Sequence, residues 1–164
     1  MSGPPSRRFL CDAMLGKLAR YLRMCGHDTA YALDRGVEAD DAVRELARRE
    51  DRRLLTRDAA LAARTEGAIR LSARDIEAQV RELDAAGVSL SLPETPSRCG
   101  RCNGPLEPVG GGEASTPPDV PDPAETDVWR CERCGQHFWK GSHWDDVRER
   151  LSEAIGPEHG DGNR

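Results

Sequence analysis

The sequence predicts an α/β domain built on a parallel sheet, followed by a small cysteine-stapled ribbon. Three observations carry that expectation. Short apolar runs alternate with amphipathic helical segments between Arg8 and Gly87. Four cysteines stand as two C-x-x-C pairs, Cys99 with Cys102 and Cys131 with Cys134. Pro93 and Pro96 punctuate the stretch that joins the two regions.

The elements follow in order. Residues 8–11 (Arg-Phe-Leu-Cys) read as a short apolar strand ending at Asp12. A helix is expected over 14–24, with Leu15, Leu18, Ala19 and Leu22 as its inward stripe and Gly26 as its stop. A weaker strand is expected at 29–32. Asp40 or Asp41 caps a helix reaching about residue 50, with Val43, Leu46 and Ala47 inward. A third strand at 53–56 ends just before Asp58, and a short helix covers 59–64. Residues 68–71 make a fourth strand. A helix over 72–86 carries Ile76, Val80 and Leu83 and closes at Gly87.

The 164 residues suffice for one moderate domain, expected at 7–92, and a small metal-stapled one, expected at 97–145. A C-x-x-C hairpin aims two thiolates at one point, and two hairpins supply the four tetrahedral ligands of a closed zinc site. Gly135 and Asn103, just past the second ligand of each pair, tolerate the left-handed backbone that such a knuckle needs. The ribbon carries an acidic insertion at about 108–127, rich in Gly and Pro and expected to be disordered. Five acids and no bases lie in it, which equals the whole net charge of −5, so the remainder of the chain is neutral overall. The balance therefore does not exclude a polyanionic partner.

No apolar run approaches the ~18 residues of a membrane span. Residues 1–8 lack the apolar core of a signal peptide. A cytoplasmic protein is expected, in which thiols stay reduced and free to bind metal. Cys11 and Cys25 then read as small buried hydrophobes.

Open parallel sheets bind ligands beyond the carboxyl ends of their strands. Asp12 and Asp58 lie at such ends, and Asp40 stands at a helix start on the same expected rim. Converging there, the three would hold a divalent cation through hard oxygen ligands. Taken singly, each reads equally as a helix cap. Lys17, Arg20 and Arg23, at steps of three along the first helix, form a ridge suited to phosphates or simply a solvated face. Phe138, Trp139 and Trp144 either stack on unpaired bases or fill the ribbon's small core. His143 reads as a phosphate-orienting group or a cap, and His137 as a spare metal ligand that four cysteines make unnecessary.

Three blocks resemble the Mut-seven-C RNase family: Asp12-Ala13-Met14-Leu15-Gly16-Lys17-Leu18-Ala19-Arg20-Tyr21-Leu22-Arg23, then Leu54-Leu55-Thr56-Arg57-Asp58, then the cysteine pairs with Phe138-Trp139-Lys140-Gly141-Ser142-His143-Trp144. The resemblance runs in order from about Phe9 to Trp144. It implies a PIN-like domain fused to a zinc ribbon and a ribonuclease that uses magnesium or manganese to hydrolyse RNA. It also implies that Asp12, Asp58 and, with Asp41 adjacent, Asp40 hold the metal. A fourth acid is expected in such a site, with Asp75 as a candidate that serves equally as a first-turn helix residue. The rival reading is a non-catalytic RNA-binding or ribosome-associated adaptor, in which the aspartates are caps and the ribbon binds.

Overall fold

The computed structural model describes residues 8–110 and 117–156. Four strands form a parallel sheet: β1 (Arg8–Cys11), β2 (Asp28–Tyr31), β3 (Arg53–Thr56) and β4 (Ile69–Arg70), in the order β2-β1-β3-β4. Leu10 pairs with Ala30 on one side and Leu54 on the other, so β1 is central.

Side chains alternate across each strand, and both faces of this sheet are covered. Phe9, Cys11 and Leu55 point to one face. There they meet α1 (Gly16–Met24), α4 (Ile76–Ala85) and α5 (Ser142–Ile155). Leu10, Ala30 and Leu54 point to the other, against α2 (Asp40–Arg49) and Leu61 of α3 (Ala59–Ala63). The near-continuous apolar runs of the strands follow from this double burial. A single 3-10 turn, Ala32–Arg35, links β2 toward α2.

The ribbon is a three-stranded antiparallel sheet in the order β5-β6-β7: β5 (Leu106–Pro108), β6 (Val128–Cys131) and β7 (His137–Trp139). Of the acidic insertion expected to be disordered, residues 111–116 lie outside the described residues. Residues 117–127 form turns, including Val120 N–H to Pro117 O at 3.0 Å and Glu125 N–H to Asp122 O at 2.9 Å. Beyond the ribbon, α5 returns to the first sheet. Val147, Leu151 and Ala154 bury against the layer that holds Leu18, Val80 and Leu83. The chain thus crosses back, and the ribbon is held at both its ends.

The two regions are also stitched together by polar contacts. Thr29 N–H donates to Asn103 Oδ1 at 3.0 Å, and Asn103 Nδ2 donates to Asp28 Oδ1 at 2.8 Å. Asn103 takes the left-handed backbone its position called for (φ 73°), as does Gly135 (φ 80°). The first knuckle is therefore docked on the edge strand β2 by the residue that shapes it.

Candidate functional site

The strand order sets where a site can form. From β1 the chain passes to β2 on one side, then returns to β3 on the other. The loop after β1 leads to α1 on one face of the sheet, and the loop after β3 leads to α3 on the opposite face. Neighbouring loops that diverge in this way leave a crevice at the carboxyl ends of the strands, the switch point of an open α/β sheet. Asp12 follows β1 and Asp58 follows β3, so both stand at that end of the sheet.

Thr56, fully buried at the end of β3, ties the two together. Its hydroxyl donates to Asp12 Oδ2 in a short hydrogen bond and accepts from the Asp58 backbone N–H at 3.0 Å. Asp12 Oδ1 accepts from Met14 N–H at 3.2 Å, which folds the loop back on itself. Asp58 Oδ1 caps α3 through Leu61 N–H at 3.1 Å. Its other oxygen makes no hydrogen bond among the described residues. Tyr31 braces the loop from β2, its hydroxyl donating to Ala13 O at 2.7 Å.

Asp12, Asp40 and Asp58 do not come together as closely as the cysteines do. Among the described residues, only the four cysteines make a group of three or more potential ligands with all donor atoms within 4.8 Å of one another. Asp40 begins α2 and pairs loosely with Arg64 at 3.9 Å, while Asp41 takes the same guanidinium at 2.8 Å. Neither caps the helix, since Ala39 holds that position; both sit in its first turn, where the helix dipole favours a negative charge. Asp75 caps α4 through Ala78 N–H at 3.1 Å, the helix-start role its position also allowed.

The expected basic ridge divides. Lys17 and Arg20 are exposed, and neither makes an ion pair or hydrogen bond among the described residues. Arg23 is buried at 4 % exposure. Its guanidinium donates to Thr29 O at 2.8 Å, Gly100 O at 3.1 Å and Arg101 O at 3.2 Å, and lies 3.6 Å from Asp34. The physical reason is helical pitch. Three residues fall about 60° short of a full turn, so Arg23 is rotated about 120° from Lys17, onto the side of Ala19. Arg23 joins α1, β2 and the first knuckle and is not free to meet a substrate.

The cysteine cluster fits zinc. Cys99 Sγ lies 3.7 Å from Cys134 Sγ, and Cys102 Sγ lies 3.5 Å from Cys131 Sγ. Four sulfurs about 2.3 Å from a tetrahedral zinc would be about 3.8 Å apart. Backbone N–H groups of Arg101 and Cys102 point at Cys99 Sγ at 3.3 and 3.4 Å. Those of Arg133 and Cys134 point at Cys131 Sγ, both at 3.3 Å. Burial works against the Cys131 thiolate, but these donors outweigh it and bring the thiol down to about 7. His137 lies in β7, outside the cluster. All six cysteines are free of disulfides, and burial pushes the Cys11 thiol far up and Cys25 up to about 12, which leaves both inert.

Sequence reasoning alone does not single out Thr56 or Tyr31. A hydroxyl closing an otherwise apolar Leu-Leu run, two residues before an aspartate, is the available signal for Thr56.

Fold and site together define a class: an open parallel α/β domain with two aspartates following adjacent strands, joined to a small antiparallel ribbon whose four clustered cysteines could hold zinc. The family comparison agrees with that class and narrows it. The chain belongs to the Mut7-C RNAse domain family, whose model matches residues 7–151. Membership points to a nuclease acting on RNA. No curated protein and no solved structure gives a significant match. No helix among the described residues is long and apolar enough to cross a membrane.

Proposed function

We propose that this chain is a PIN-like, metal-dependent ribonuclease that hydrolyses RNA phosphodiester bonds at the crevice between β1 and β3. The observation that supports the reading is the hydroxyl of Thr56, which joins the Asp12 carboxylate to the backbone N–H of Asp58, the two residues following adjacent strands of the sheet. Magnesium is commonly held by one or two protein carboxylates together with water and phosphate oxygens, so a pair is enough. Asp12 and Asp58 would hold the magnesium or manganese ion. When bound, such an ion polarises the phosphoryl group and makes a water nucleophilic at neutral pH.

The protein's own groups do the rest. Thr56 and Met14 N–H each hold one oxygen of Asp12, which fixes the rotamer of the carboxylate at the crevice. Lys17, in the first turn of α1 just past the Asp12 loop, and Arg20, one turn on, draw the RNA backbone to the rim. Asp40, which lies 3.9 Å from the Arg64 guanidinium, is not needed for the pair of Asp12 and Asp58. The zinc site is structural, and the reduced cysteines fit a cytoplasmic setting.

The test is cleavage of a labelled single-stranded RNA by purified protein with magnesium or manganese, comparing wild type with Asp12→Asn. Losing one charged ligand removes about 3 kcal/mol of transition-state stabilisation, on the order of a hundredfold in rate. Cleavage by wild type that Asp12→Asn retains in full would remove this site from the chemistry. RNA binding without any cleavage would instead favour the adaptor.

A further inference from the structure

We propose that the cleft between α1, the first zinc knuckle and the start of α5 receives an unpaired nucleobase, which makes single-stranded RNA the substrate. The proposal deepens the ribonuclease reading and rests on it for the identity of the ligand.

The cleft encloses ≈ 90 Å³, small beside the range of drug-sized sites. It is walled by Phe138, Trp139 and Trp144, three of the chain's scarce aromatic residues. Their concentration at one place marks it as a stacking surface, since every base offers a π-face. Trp139 and Phe138 are half-buried, so part of each ring remains available, while Trp144 closes the floor. The Trp139 ring is held against Gly141: a Cβ there would lie 2.6 Å from its Nε1. Any side chain at position 141 would push the indole out of place.

The charge around the rings is one-sided. Arg20 and Arg101 border the cleft, and among the described residues no carboxylate lines it. A second hollow shares Arg20 and His143 with the first and extends along α1 to Lys17 and Gly16. One acid, Asp146, lies there, and Arg150 takes it at 3.1 Å. The track therefore runs from the Asp12 loop, past Lys17 and Arg20, to the rings. Along α1 from Gly16 to Met24 the distance is about 12 Å, a span of a few nucleotides. Two unpaired cations ahead of an aromatic slot match a phosphate backbone followed by a splayed base. They do not match a duplex, whose bases are stacked inside.

The experiment is fluorescence anisotropy of a labelled 12-nucleotide single strand and of its duplex, without added divalent metal, on full-length protein. Trp139→Ala is expected to weaken single-strand binding about 5- to 150-fold, the usual worth of one stacked base. Arg20→Glu, at an exposed residue without partners, keeps the fold intact. It is expected to weaken binding at least about tenfold and to reduce the salt slope by about 0.7 for each phosphate it no longer neutralises. The duplex is expected to bind more weakly than the single strand. Duplex binding as tight as single-strand binding overturns the proposal. Wild-type affinity in both variants also overturns it and leaves the cleft to a peptide partner. Cleavage is read separately: a wild type that binds as expected but never cuts sinks the ribonuclease reading while the base slot stands.

Discussion

Arg23 gives the sharpest check on how the ribbon is mounted. Arg23→Met keeps the aliphatic stem and removes the guanidinium from a site only 4 % exposed. Three backbone carbonyls, of Thr29, Gly100 and Arg101, then lose a charged donor. A buried acceptor left unmade costs about 1–3 kcal/mol, but these three share one donor and partly relax together. We take about 3 kcal/mol for the set. For a chain of this size, 1 kcal/mol moves the melting temperature by about 2–4 °C, so a drop of about 6–12 °C is expected. Thermal unfolding followed by circular dichroism on zinc-loaded protein measures it. Arg20→Met, on the exposed side of the same helix, is the reference and is expected to change stability by no more than about 0.5 kcal/mol. If Arg23→Met melts with the wild type, or if the two variants fall equally, the joint between α1 and the first knuckle is not what holds the ribbon.

Other expectations follow the same logic. Cys131→Ser removes one of four zinc ligands and is expected to abolish stoichiometric zinc by elemental analysis, with loss of ordered ribbon signals by NMR. Thr56→Val keeps the shape of the strand end but frees Asp12, and cleavage is expected to fall about 10- to 100-fold with a smaller melting shift than Arg23→Met. Asp28 is held at about 2 although burial alone would raise it, because Asn103 and Arg52 donate to it and Arg52 and Arg98 add positive charge. Its folded value lies below its unfolded one. Its stabilisation is therefore present above pH ~4 and lost as pH falls toward 2. The melting gap between wild type and Asp28→Asn is expected to narrow below about pH 4, and a constant gap would refute the assignment.

Much of the first domain was legible because its signals are local. The strands at Arg8–Cys11 and Arg53–Thr56 fall where the apolar runs stand, and the double burial explains why those runs do not alternate. The cysteine cluster was legible because the C-x-x-C spacing is itself short-range. Contacts between distant segments were not. Trp144, Val147, Leu151 and Ala154 carry a helical stripe that marks α5, but nothing local says that it packs on α4. Arg23 reads as one of three similar cations until the drift of the helix is counted. Asp40 stands at a helix start like Asp12 and Asp58 at their turns, and its contact with Arg64, far along the chain, has no local signal. Thr56 was invisible as a site residue because a hydroxyl on a strand has many uses.

The central claim is that Asp12 and Asp58 share a cation at the strand switch point. A crystal soaked in manganese and measured at the manganese edge tests it most directly. The account requires an anomalous peak within ligand distance of both carboxylates, lost in Asp12→Asn crystals. A peak bound to neither aspartate, or none at saturating manganese, would contradict it.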